Sequence, residues 1–136
     1  MLQTVLLNKK GLTLVEVMIA LVVLLLVFLA LMQTALVSID SNMINVLRDD
    51  AVNIAEEQMS NQRNTPFDNV ISVPAAFITR NIRNIANFPY SCLITVTNLN
   101  ADSKQVVITV TWDWKTRTAA NGNPYTHTIS TILRRP

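Results

Sequence analysis

From Leu12 to Thr65 the chain contains neither glycine nor proline, and within that interval Val17 to Val37 is apolar apart from Gln33 and Thr34. Nothing in it forces a helix to break. At about 1.5 Å per helical residue the apolar part spans roughly 31 Å, close to a hydrocarbon thickness of about 30 Å, so it is long enough to cross a bilayer. The periodicity then changes character. From Ile39 onward, Met43, Val46, Leu47, Ala51, Ile54, Ala55 and Gln58 form a stripe at about 100° per residue, while Asn42, Asn45, Asp49, Asn53, Glu56 and Ser60 recur on the opposite side. That pattern predicts a helix with one packed and one wet face. Thr65-Pro66 supplies the stop, because a residue before proline is pushed out of the α region. From Leu12 to Asn64 such a helix would be about 80 Å long.

The charges around the apolar run are few. Lys9-Lys10 precede it, Gly11-Leu12-Thr13-Leu14-Val15-Glu16 opens it, and no further charge occurs until Asp40. Lysines before an apolar run also begin ordinary signal peptides. Here the run exceeds the about 7 to 15 residues of a secretory h-region, and no A-x-A pattern appears around Ala30 to Ala35, so the segment is expected to be retained. Glu16 is the unusual residue, since a carboxylate in hydrocarbon costs on the order of 2.5 to 3.5 kcal/mol. The plainer reading is a first-turn carboxylate that complements the helix dipole and snorkels to the interface. Beyond the span Asp40, Arg48, Asp49 and Asp50 give no positive excess, which puts the N-terminus in the cytoplasm and the remainder outside.

After a polar linker from Thr65 to about Pro74 the pattern becomes period two. Val106, Ile108, Val110, Trp112 and Trp114 alternate with Val107, Thr109, Thr111 and Asp113; Cys92, Ile94 and Val96 alternate with Leu93, Thr95 and Thr97. A hairpin is expected over Asn98 to Ser103, a turn-rich loop over Ala119 to Pro124, a last strand from about Thr126 to Arg134, and a weaker strand over Phe77 to Ile85. The expected fold class is α+β: the amphipathic half of a long N-terminal helix packed on an antiparallel sheet of three or four strands.

Basic residues, a glycine, an apolar residue and a glutamate four positions later closely resemble a type IV prepilin leader. With the continuous helix and small C-terminal sheet, the whole chain is similar to type IV pilins and to the pseudopilins of type II secretion. The strand ending in Trp112-Asp113-Trp114 and the final strand running into Ile132-Leu133-Arg134-Arg135 are similar to minor pilins of the pilus-modification type. The resemblance implies basic leader residues Lys9 and Lys10, cleavage between Gly11 and Leu12 by a prepilin peptidase, and methylation of the new Leu12 amine. Leu12 stands where phenylalanine is commonest. Glu16 would meet such an amine, its own or a neighbouring subunit's, in low dielectric, and so set the register of assembly. The implied segments are a leader, 1–11; a transmembrane and assembly half of the helix, 12–38; its amphipathic half, 39–64; and a sheet domain, 65–136. The partners implied are the prepilin peptidase, other pilins or pseudopilins through the helix, and the inner membrane before assembly into a fibre. An unbroken span, where many major pilins carry Gly or Pro, fits a low-copy role.

The formal charge of +2 implies no nucleic-acid partner: removal of Lys9 and Lys10 would leave nine basic against nine acidic residues. Cys92 is the only cysteine, which excludes an intrachain disulfide, and it reads as a buried strand residue. His127 has no second histidine beside it for a metal set and reads as solvated or half-buried. Asp49-Asp50 and Glu56-Glu57 are neighbours on a helix, point about 100° apart, and do not converge as catalytic carboxylates would. Trp112 and Trp114 read as core. No cofactor and no enzymatic activity are expected. A pilus subunit, a secretion pseudopilin contacting exported cargo, and a plain membrane-anchored binding domain remain as readings.

Overall fold

The computed structural model describes residues 13–115 and 122–135. The chain divides into two compact units, one up to Ser41 and the other from Asn42. A single helix, α1 (Leu14–Asn64), runs through the interval without glycine or proline.

In the first unit α1 is apolar on every side. Large hydrophobic side chains from Leu14 to Ile39 are exposed, from 43% at Val17 to 77% at Leu14. Thr34, one of the two polar interruptions, returns its hydroxyl to the Ala30 carbonyl at 3.0 Å, so its donor is satisfied inside the helix.

In the second unit the remainder of α1 covers a four-stranded antiparallel sheet of order β1-β2-β3-β4, built from β1 (Val73–Ile82), β2 (Ile85–Asn100), β3 (Ser103–Trp112) and β4 (Tyr125–Arg134). The polar stripe Asn42, Asn45, Asp49, Asn53, Glu56 and Ser60 is exposed, and Leu47, Ala51, Ile54, Ala55 and Met59 are buried, as a 3.6-residue period requires. On β3 the alternation holds residue for residue: Val106, Ile108, Val110 and Trp112 are buried. Their partners on the same sheet face are Ile94 and Cys92 on β2 and Ile129 and His127 on β4. Tyr90 lies at the centre with no exposed surface and donates its hydroxyl to the Leu47 carbonyl of α1 at 3.1 Å. Its ring meets Phe88 edge-on at 5.1 Å and Trp112 at 6.1 Å, arrangements that suit the ring quadrupole.

Several boundaries differ from the sequence expectation. The strand expected around Cys92 to Thr97 is sixteen residues long and starts at Ile85, because Phe88 and Tyr90 continue its inward face. The strand expected over Phe77 to Ile85 lies at Val73–Ile82 and ends in a turn at Arg83 and Asn84, with Arg83 at φ 50°. The hairpin expected over Asn98 to Ser103 tightens to Ala101 and Asp102, where the Asn100 side chain accepts the Asp102 N–H at 3.0 Å. The linker is also more ordered than its composition implied. It holds a 3₁₀ turn at Phe67–Asn69, and Lys104 reaches across to donate to the Phe67 and Val70 carbonyls at 2.7 and 3.0 Å. Trp114 lies beyond the end of β3, half-buried, against Phe88. Of the expected loop Ala119 to Pro124, Ala119 to Asn121 lie outside the described residues; Gly122 takes φ 78°, a conformation that favours glycine.

Candidate assembly site at the start of the helix

The Thr13 carbonyl accepts the Val17 N–H at 3.2 Å, which makes Thr13 the N-cap and Leu14 the first residue inside α1. Its hydroxyl accepts the Glu16 N–H at 3.2 Å, and Glu16 reaches back in return. Glu16 Oε2 accepts the Thr13 N–H at 2.9 Å and the Thr13 hydroxyl at 3.0 Å. This reciprocal capping box satisfies orphan donors of the first turn and fixes the carboxylate where the helix dipole favours negative charge. Oε2 takes both bonds, and Oε1 takes none among the described residues. The cap thus holds the carboxylate through one oxygen.

The capping box was legible as Thr13-x-x-Glu16 ahead of an apolar run, a signal the motif reading above passed over. Lys9, Lys10, Gly11 and Leu12 lie outside the described residues. Next to the cap, the exposed apolar surface of Leu14 to Ile39 far exceeds the few hundred Å² that a soluble monomer leaves bare. Among the described residues α1 is the one helix long and apolar enough to cross a membrane.

Residues 6–32 match the family model of the prokaryotic N-terminal methylation motif. The chain thus carries a type IV prepilin-like motif at its N-terminal end. The motif implies processing by a prepilin peptidase and assembly with other pilins in general, and with the apolar half of α1 it marks a membrane anchor. The α+β fold, one long N-terminal helix on a four-stranded antiparallel sheet, agrees with a pilin-like architecture. No curated protein and no solved structure matches the chain.

The other residues singled out by sequence lie apart from this site. Cys92 is buried on β2, and burial pushes its thiol above the usual range. His127 is half-buried on β4, and its Nε2 has no hydrogen-bond partner among the described residues. Asp49 and Glu56 face solvent; Glu57 pairs with Arg80 of β1, and Asp50 turns inward beside the Tyr90 hydroxyl. The first acidic pair therefore splits between the wet and packed faces, while Glu56 and Glu57 are both exposed. Among the described residues no group of three His, Cys, Asp or Glu side chains converges on a metal-sized site.

Proposed function

We propose that this type IV pilin-like chain is a minor structural subunit of a type IV pilus, with no catalytic role. Its leader, residues 1–11, is removed between Gly11 and Leu12, the Leu12 amine is methylated, and residues 12–38 hold the subunit in the inner membrane with its N-terminus cytoplasmic. Residues 39–64 and the sheet domain, 65–136, are exported. On extraction from the membrane the apolar half of α1 enters the helical core of the fibre, and the subunit primes assembly or stands at the tip. The observation that carries this reading is the methylation motif joined to a helix whose apolar surface is bare on every side. Lipid covers that surface before assembly and other subunits' helices cover it afterwards. Glu16, whose Oε1 takes no hydrogen bond among the described residues, is the carboxylate that a neighbouring subunit's amine would meet. A helix without Gly or Pro through the span supports the low-copy role.

The test is the intact mass and N-terminal peptide of the protein from membranes of strains with and without prepilin peptidase. A chain beginning at methylated Leu12 only when the enzyme is present is expected. A chain beginning at Met1 in both strains refutes the proposal and leaves an anchored domain with Glu16 as a helix cap. The same helix and motif suit a minor pseudopilin of type II secretion that contacts exported cargo. Recovery of the subunit in fibres from cells lacking secretion but retaining pili distinguishes the pilus reading from that one.

A further inference from the structure

The two edges of the sheet are built differently. β1 carries Pro74 and Arg80, and its pairing with β2 slips twice, between Val73 and Ala76 and between Arg80 and Ile82. Proline, charge and bulges are the devices that keep an edge strand from pairing with another chain. β4 has no proline and no bulge, and its one Lys, Arg, Asp or Glu is Arg134 at its end. Its register with β3 runs from Arg134 opposite Ser103 to Tyr125 opposite Trp112 without a shift, and from Tyr125 to Leu133 it holds no proline and no Asp, Glu, Lys or Arg. In an antiparallel edge strand alternate residues turn their N–H and C=O groups outward, so β4 offers a straight row of them among the described residues.

Side chains along this edge are sorted by face. Thr126, Thr128, Ser130 and Ile132 are exposed on the outer face, while Tyr125, His127, Ile129, Thr131 and Leu133 are half-buried on the face toward α1. Between that inner face and α1 a groove of about 350 Å³ stays open, floored by Met59 and Ile129 and rimmed by Glu56 and Arg63. A strand added to β4 would lay alternate side chains over this groove. We infer that the free edge of β4 is a strand-addition site for an extended segment of a different exported chain. That segment is uncharged through its middle, apolar where it passes Met59 and Ile129, hydroxyl-bearing or small on the outer face, and acidic where it passes the exposed Arg134.

Charge disfavours a second copy, because β4 carries no Asp or Glu to set against the exposed Arg134 of another copy. A head-to-tail contact would instead need the β1 edge, which Pro74, Arg80 and the bulges blunt.

The experiment is residue-resolved amide exchange on the full chain in detergent micelles, with a synthetic peptide copying residues 105–112 and bearing an added N-terminal Asp. That peptide is uncharged in its middle, with Val106, Ile108, Val110 and Trp112 on one face and Gln105, Val107, Thr109 and Thr111 on the other. Slowing by about ten-fold or more at alternate amides between Thr126 and Leu133, absent along Val73–Ile82, is expected. The slowing should vanish with a control peptide carrying proline at the positions of Val107 and Thr109, and should weaken in the Ser130→Lys chain, whose melting temperature stays that of the parent. No slowing, equal slowing with the proline peptide, or slowing along β1 overturns the inference. Concentration-dependent protection of β4 without peptide also overturns it, in favour of a second copy. Failure here leaves the N-terminal mass result untouched, so the two readings fall separately.

Discussion

Tyr90→Phe tests how the sheet is joined to the helix. The hydroxyl is wholly buried, donates to a carbonyl inside α1 at 3.1 Å, and lies beside the Asp50 carboxylate. Phenylalanine keeps the edge-on contact with Phe88 and the packing on Trp112, so only the polar link is lost. A net hydrogen bond is worth about 0.5–1.5 kcal/mol, and the inward Asp50 loses a neighbour as well, so we expect a loss of about 1.5 kcal/mol. For a folded unit of this size that lowers Tm by roughly 6–12 °C. The assay is thermal unfolding of the full chain in micelles, followed by the near-ultraviolet circular dichroism of Trp112 and Trp114. Burial, with the Asp50 charge adding to it, holds the Tyr90 hydroxyl well above its ordinary value. The native state therefore keeps a proton that the unfolded chain loses above about pH 10, and stability falls there by up to about 1.4 kcal/mol per pH unit. The phenylalanine variant has no such proton, so the gap between parent and variant should narrow above that pH. An unchanged Tm, a loss as large as the about 3–5 kcal/mol of Tyr90→Ala, or a gap that stays constant above pH 10 would refute the reasoning.

Lys104→Met should cost about 1.5–3 kcal/mol, since the ammonium bonds two carbonyls of the linker and stands 4.7 Å over the Phe67 ring; faster amide exchange at Asn69 and Val70 with β3 unchanged would locate the loss. Thr13→Ala removes the hydroxyl half of the cap and should cost about 1 kcal/mol, read as faster exchange of the Glu16 amide in micelles, whereas Thr13→Ser should restore most of the protection. Cys92, buried with its thiol pushed up, should react with a maleimide at pH 8 at least about 100-fold more slowly than in the urea-unfolded chain, and a rate near that of a free thiol would show that β2 opens readily.

Where burial alone set the pattern, the sequence was easy to read. The stripe from Leu47 to Ala55 and the alternation from Val106 to Trp112 fell on their faces because a helix repeats near 3.6 residues and a strand at two, whatever packs above them. The capping box was equally local and could have been found in Thr13 and Glu16. What escaped was set by partners distant in sequence. Asn87 and Pro89 look like breakers, yet β2 runs through them because Phe88 and Tyr90 are held against α1. Val70 joins the core because the linker folds back beneath Lys104.

The sequence by itself determined the membrane-length helix, its wet and packed faces, the antiparallel class of the sheet and the motif that marks its N-terminus, since each rests on spacing or on residues adjacent in the chain. Only the tertiary structure decided that Tyr90 bonds α1, that Asp50 turns inward while Asp49 stays in water, and that β1 is the blunted edge and β4 the open one. The reason is physical: strand order, register and the pairing of buried polar groups depend on which distant residues meet, and periodicity carries no information about that.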